Sequence, residues 1–338
     1  MKEVRVALIG FGGIARSHNA GYRILAKEGA PIKLVAVCDI NPAQFEAALS
    51  INIATDNKGL PADIHTYTSV DELIAKEDFD MADICLPSYL HKEYAIKLME
   101  AGKHVLSEKP MALCSADCDD MIEVSKRTGR KLMIGQCLRF DSAYLYLKDC
   151  VDSGKFGKVR HVFMHHLSPQ PRWGFEHWFE DDTKSGGCVL DMHIHDVDMV
   201  RFLFGEPDAV SMYSIDGDTR WAVENTRIYY KDKLVSINGS WGEAATVKFR
   251  AGYRVRFDDA TVVFELGEVT VYPEKGEIYK PEIKKTNHMA EEIRMFAGTI
   301  LDESIVNTAN PPESARETVK LIEKLRESAA RNGEIVKL

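Results

Sequence analysis

Short apolar runs recur through the first part of the chain, at residues 4–9, 32–38, 82–86, 104–106 and 132–135. None alternates with polar positions, which predicts strands buried on both faces. Helical patterns fill the intervals at 14–27, 42–50, 91–101 and 116–128, with Gly29, Gly102 and Gly129 at the positions of helix C-caps. Strand and helix in alternation predict a parallel α/β sheet.

After about residue 155 the pattern becomes β-rich and partly alternating, at 159–167, 209–215, 226–230, 234–241, 253–257, 261–266 and 268–272. Asp216-Gly217-Asp218 and Leu266-Gly267-Glu268 separate runs as turns do. The expectation is a mostly antiparallel sheet flanked by helices, one at 185–204 and another at 312–332. The fold class is thus α/β plus α+β: a doubly wound parallel sheet in residues 1–138 and the second sheet in residues 139–338. Neither an internal repeat nor a Pro-rich linker interrupts this plan.

A chain of 338 residues is long enough for two packed domains. Lys and Arg number 43 against 52 Asp and Glu, a net charge of −9. With no basic run in view, that balance argues against a nucleic-acid partner, whose phosphates need clustered cations. No apolar stretch reaches the roughly 18 residues of a membrane span. Charged residues stand directly before the first strand, where a signal peptide would be apolar, so a cytoplasmic location is expected. Seven cysteines, an odd number without metal-type spacing, read as reduced thiols.

The first candidate site is the turn Gly10-Phe11-Gly12-Gly13-Ile14-Ala15, which follows the first strand and fits the dinucleotide pattern with Ala in the third place. Gly10 allows the tight turn, Gly12 lets backbone approach a pyrophosphate, and Ala15 is small enough for close helix–strand packing. The free N–H groups around Gly13 and Ile14, with the helix dipole, would hold the diphosphate. Asp39 ends the second strand where a carboxylate accepts hydrogen bonds from the adenosine ribose. It would repel a 2′-phosphate, and Ile40-Asn41-Pro42 offers no cation to pair with one, so NAD is expected over NADP.

Two further segments carry candidate chemistry. Glu108-Lys109-Pro110 lies at the C-terminal end of a strand, the edge where open α/β sheets bind ligands. In the helix expected over 185–204, Asp191 and His195 are four residues apart and share a face, with His193 turned away. That separation argues against a metal site built on His193 and His195, and none is expected. Residues 169–179 are rich in aromatics: Trp178 and Phe179 read as core, Trp173 and His177 as substrate-side candidates for a sugar ring.

These residues together resemble the Gfo/Idh/MocA oxidoreductase family, which includes glucose-fructose oxidoreductase and inositol dehydrogenase. The resemblance rests on the glycine turn, Asp39, Pro87-Ser88-Tyr89-Leu90-His91, Glu108-Lys109-Pro110, Arg139-Phe140, the run from Gly186-Gly187 through Asp191 to His195, and Pro312-Glu313-Ser314-Ala315. It implies a Rossmann domain followed by an open β-sheet domain that binds substrate and assembles into a homodimer or homotetramer, with the active site between them. It also implies cofactor contacts from Ser88, His91, Glu108 and Lys109, a catalytic set of Lys109, Asp191 and His195, and often a cis bond before Pro110. Two departures stand out: Cys188 replaces a third glycine, and Ser88 replaces a frequent Asn.

The resulting expectation is reversible oxidation of a secondary alcohol on a sugar, inositol or polyol. An imidazole such as His195, with an ordinary pKa of about 6.5, suits proton abstraction near neutral pH. Lys109 would stabilise alkoxide character and Asp191 would orient substrate or imidazole. Whether Lys109 or His195 is the base stays open, since their titrations would be coupled. The alternatives are an NAD-recycling glycosidase or epimerase of the same family, and a non-catalytic NAD-binding regulator.

Overall fold

The computed structural model describes residues 2–46 and 60–338, which divide into two compact units. Residues 1–137 and 286–316 belong to the first, residues 138–285 and 317–338 to the second. The sequence reading of one boundary at 138/139 therefore meets a difference: residues 286–316 return to the first unit.

In the first unit, β1 (Val4–Ile9), β2 (Ile32–Cys38), β3 (His65–Tyr67), β4 (Met81–Ile84), β5 (His104–Glu108) and β6 (Leu132–Gly135) form a parallel sheet in the order β3-β2-β1-β4-β5-β6. The order reverses beside β1, so the carboxyl ends of β1 and β4 diverge into the crevice where such sheets take ligands. All but the edge strand β3 are largely buried, as expected of a parallel sheet packed with α1 (Gly13–Lys27), α2 (Val70–Lys76), α3 (His91–Glu100), α4 (Ser115–Thr128) and α9 (His288–Leu301). Helices α1 and α9 approach closely at Gly21, where an added Cβ would lie 3.2 Å from the Ala290 nitrogen. The helix expected over 42–50 is a short 3₁₀ turn, Pro42–Phe45, capped by the Asn41 side chain. Its remainder from residue 47 lies outside the described residues.

The second unit holds β7 (Val159–Leu167), β8 (Ala209–Ile215), β9 (Val223–Tyr229), β10 (Leu234–Ser240), β11 (Arg250–Phe257), β12 (Ala260–Glu265), β13 (Glu268–Pro273) and β14 (Val336–Lys337). They form one sheet, β13-β12-β11-β7-β10-β9-β8-β14, antiparallel except where β7 lies parallel to β10. Leu266 and Gly267, both at positive φ, make the two-residue turn joining β12 and β13. One face of β7 is buried through Val162, Met164 and His166. Helix α5 (Ser142–Asp152) packs on this sheet, its Ala143 carbonyl accepting from the Tyr253 hydroxyl at 2.8 Å. The chain ends with α10 (Pro312–Ala330) before β14.

The single helix expected over 185–204 is divided into α6 (Asp182–Ser185), α7 (Gly187–Asp191) and α8 (Ile194–Phe204). Gly186 and Gly187 both take left-handed φ, +74° and +71°, which separates α6 from α7. Neither glycine has room for a Cβ: one at Gly186 would sit 2.6 Å from Leu190 Cδ2, and one at Gly187 2.8 Å from the Arg220 carbonyl. The second break arises at Met192 and His193, whose N–H groups both reach the Cys188 carbonyl at 2.9 Å. For His193 this is a bond to the fifth residue back, a widened turn of the kind that interrupts regular helices. No helix among the described residues is long and apolar enough to cross a membrane. All seven cysteines are free thiols.

Candidate functional site

The glycine turn is built as its composition requires. Gly10 has φ +85°, and a Cβ there would lie 2.6 Å from the Cys85 carbonyl oxygen at the end of β4. Gly12 is different: its φ is −79°, it caps α1, and a Cβ would meet nothing within 4 Å. Nothing within the protein demands glycine there, which leaves open space before a helix N-terminus, as a diphosphate needs. The Asp39 carboxylate sits beside this turn, accepting from the Phe11 N–H at 2.7 Å and the Asn41 N–H at 2.8 Å. It thus orders two loops as well as offering lone pairs to a ribose. Donor set and open cradle fit a dinucleotide.

Sequence reasoning missed Arg16 in this neighbourhood. It is almost fully buried on α1, lies 4.3 Å over the Phe11 ring, and donates to the Gln44 carbonyl at 2.7 Å. Burial lowers its pKa, while the Asp39 charge works against that loss. The sequence carried no distinct signal for it, because α1 also holds Ser17, His18, Asn19, Arg23 and Lys27.

At the end of β5, Lys109 is half-buried and followed by a cis bond to Pro110. Its backbone is held by neighbours on both sides. Glu108 accepts from the Lys109 N–H at 3.0 Å, and the Pro110 carbonyl meets His91 Nδ1 at 2.7 Å. Glu108 is itself buried, with its other oxygen 3.0 Å from His18 Nε2. His18 Nδ1 lies 2.8 Å from Asp83, which also accepts from the Tyr22 hydroxyl at 2.7 Å. Carboxylates on both ring nitrogens make His18 an imidazolium: burial opposes the charge, but Asp83 outweighs it and the pKa lies well above 6.5. Burial likewise pushes Glu108 upward, yet the His18 hydrogen bond prevails and lowers its pKa. Glu292 of α9 faces the same cluster with neither carboxylate oxygen hydrogen-bonded, and burial followed by the Glu108 charge raises its pKa strongly. His18, Glu108 and Glu292 have the spacing of cation ligands, but the His18 nitrogens are already engaged.

Of the other expected cofactor residues, Ser88 is buried at the start of a short turn before α3. His91 is buried too, its Nε2 2.8 Å from the Leu86 carbonyl, so its ring ties together the loops that follow β4 and β5. Both Glu108 and His91 therefore commit their side chains to internal contacts that shape the loop around Lys109.

In the second unit, α7 ends at Asp191 and α8 carries His195, so the pair does not lie on one regular helix. The widened turn between them leaves both half-exposed while Met192, His193 and Ile194 are buried. His193 turns inward, as its expected face requires; its Nε2 is 2.9 Å from the Thr226 hydroxyl, and burial lowers its pKa to about 4. Beneath α7, Cys188 lies fully buried with Sγ donating to Glu224 at 3.4 Å. The thiol here fills the place where a third glycine was expected. The His195 ring stacks on His166 at 5.3 Å between centroids and 22° between planes. His166 Nδ1 is 2.9 Å from Asp196, a contact sequence could not reveal because it joins a strand to a helix thirty residues on.

In the aromatic segment Phe179 is buried, Trp178 is partly buried, and Trp173 and His177 are exposed. Phe179 is core, stacked with Trp178 at 3.8 Å and packed on Cys188, Met192 and Trp241. Trp173 meets Phe179 edge-on at 4.9 Å and keeps about a third of its surface exposed, 36%. His177 is exposed, its Nδ1 3.0 Å from Glu180.

Comparison with known proteins adds a family. The model for an oxidoreductase family with an NAD-binding Rossmann fold matches residues 4–136, and a Gfo/Idh/MocA C-terminal domain matches residues 144–279. The chain is similar to the 2,7-anhydro-N-acetylneuraminate hydratase of Mediterraneibacter gnavus, 32% identical over 213 residues, covering 63% of this chain and 52% of that protein. It is similar to the inositol 2-dehydrogenase of Salmonella typhimurium at 28% over 204 residues, 60% of this chain and 55% of that one. The chain thus spans about half the length of the curated relatives it matches. Levoglucosan dehydrogenase, solved in complex with NADH, shares the fold with a TM-score of 0.82 at 18% identity, covering 99% of both chains.

Proposed function

Because the chain belongs to the Gfo/Idh/MocA oxidoreductase family with an NAD-binding Rossmann domain, we propose that it transfers a hydride between a secondary alcohol of a sugar, inositol or polyol and NAD. Lys109, Asp191 and His195 are its catalytic residues. One observation supports the second-unit assignment above others. From Ser185 to Arg201 every residue is buried except Asp191 and His195. A carboxylate and an imidazole are the two groups this segment offers to solvent, and they are the types a proton transfer requires.

The alcohol loses two hydrogens. Neutral His195 takes the hydroxyl proton, the Lys109 ammonium stabilises negative charge on that oxygen, and Asp191 orients the ring or the imidazole. NAD, when bound, accepts the other hydrogen with its electron pair. Asp39 favours the ribose hydroxyls of NAD over the 2′-phosphate of NADP by simple repulsion. Ser88, His91 and Glu108 shape the loop that presents Lys109, and Trp173 with His177 contributes to the substrate surface. The same reading has the protein act in the cytoplasm as a homodimer or homotetramer joined through the second sheet, on which Tyr213, Ile215 and Leu234 are exposed.

The test is NADH formation at 340 nm with NAD or NADP against inositols, aldoses, polyols and sugar acids, run beside Lys109→Ala. Signal with NAD and one substrate class, lost in the variant, supports the assignment; full activity in Lys109→Ala refutes it. A second reading has NAD reduced and reoxidised within one turnover, so that no net NADH forms. The relative named a hydratase favours keeping it. Tight NAD binding with product formed but no 340 nm signal would select that reading. NAD binding with no turnover at all would select a regulator.

A further inference from the structure

We propose that His166, oriented by Asp196, is a positioning residue that holds the imidazole of His195 in plane for proton abstraction. The inference rests on His195 being a catalytic base.

His166 occupies a place on the buried face of β7 where the pattern set by Val162 and Met164 calls for an apolar side chain. A histidine there needs a reason, because an imidazole loses its water on burial. The ring is covered on one side by His195 at 5.3 Å and met edge-on by Phe249 at 5.8 Å. Asp196 is fully buried, neither of its oxygens makes a well-directed hydrogen bond, and His166 is its one close charge partner among the described residues, at 2.9 Å. A buried carboxylate without a counterion is costly, which favours keeping the His166 ring against Asp196. The imidazole so held lies nearly parallel to the His195 ring, 22° between planes, and fixes its orientation.

Other titratable groups face this stack from several elements. From α8, His193 is neutral, its pKa pushed down to about 4 by burial. From β9, Glu224 is protonated below about pH 8. From β7, His165 has a pKa lowered first by burial, with Asp196 and then Glu265 of β12 acting to raise it and His166 and Arg250 of β11 to lower it. Asp191 ends α7 and keeps solvent exposure. His166, against Asp196, is the ring that stacks on His195.

The experiment is the pH profile of kcat/KM for His166→Asn, His166→Phe and Asp196→Asn, with the substrate found above and NAD. His166→Asn leaves the neighbouring Asp196 carboxylate without its counterion, so the acidic limb should move to higher pH by roughly 0.5 to 2 units, as a nearby unpaired carboxylate favours the charged imidazole. His166→Phe should restore ring support, and with it kcat, but keep the displaced limb. Asp196→Asn should lower kcat with little change in KM. If His195→Ala abolishes turnover yet all three variants keep the wild-type limb and kcat, this inference is overturned and the base assignment stands. If His195→Ala retains turnover, the base assignment itself falls. An ¹⁵N NMR titration of the wild-type imidazoles with NAD bound needs no variant to fold: coupled titration of His166 and His195 is expected, and independent titration overturns the proposal.

Discussion

Replacing Glu224 by Gln isolates a proton that the second unit must bind in order to fold. Glu224 lies on β9, only 2% exposed, with Oε1 unpartnered and Oε2 facing the Cys188 thiol. Burial pushes its pKa from 4.5 to about 8, against the opposing pull of Cys188 and Arg326. A carboxyl whose folded pKa is raised contributes stability that is fully present below its unfolded value and is lost as pH climbs through the folded one. The window is therefore pH 4.5 to about 8. Each unit within it costs about 1.4 kcal/mol, so the whole window amounts to about 5 kcal/mol. Gln keeps the shape and can still face the thiol, but it has no proton to bind. The assay is guanidinium unfolding at a series of pH values, read by tryptophan fluorescence. All four tryptophans, Trp173, Trp178, Trp221 and Trp241, lie in the second unit, so the signal reports that unit. Wild-type stability minus that of Glu224→Gln should fall by about 1.4 kcal/mol per pH unit between 5 and 8, then level off. A difference that does not change with pH would show that Glu224 is ionised in the folded unit and refute the reasoning.

Three other outcomes are expected. Gly10→Ala should lower the melting temperature and abolish NAD binding together, because φ +85° and the 2.6 Å approach to the Cys85 carbonyl force β1 and β4 apart. Gly12→Ala should leave the melting temperature within a degree or two yet weaken NAD in a calorimetric titration at least tenfold; unchanged affinity would remove the open space before α1 from the cofactor site. Arg139→Ala should destabilise the second unit by about 3 to 5 kcal/mol in denaturant, since it strands the buried Asp198 that Arg139 grips through two 2.7 Å hydrogen bonds. The double variant Arg139→Ala with Asp198→Ala should cost less than the sum of the single changes.

What could be read from the chain alone follows from the range of the forces involved. Strands β1, β2 and β6 stand where their apolar runs do because a strand covered on both faces must be apolar along most of its length. Edge strand β3, His65–Tyr67, has no such signature: its residues are largely exposed and pair with β2 on one side. Helices α2, α5 and α9 were within reach of the sequence through their caps. Ser69 with Glu72, Asp141 and Asn287 each cap the residues that follow, a local signal that a search for apolar periodicity passes over.

The glycine turn, Asp39, Lys109 and the Asp191–His195 segment were likewise legible as candidates, because spacing along the chain fixes their neighbours along the chain. The sequence alone determined the two-sheet plan, the dinucleotide turn and the residue types available for proton transfer. Tertiary structure decided what those residues touch. Glu108 meets His18 across 90 positions, Cys188 meets Glu224 across 36, and His166 stacks on His195 from a different element. It decided as well that α7 and α8 break at His193, and that residues 286–316 return to the first unit. The physical reason is that periodicity records only which face of an element avoids water. The partner that a buried charge or imidazole finds there is set by packing between elements distant in sequence, where desolvation makes an unpaired group costly.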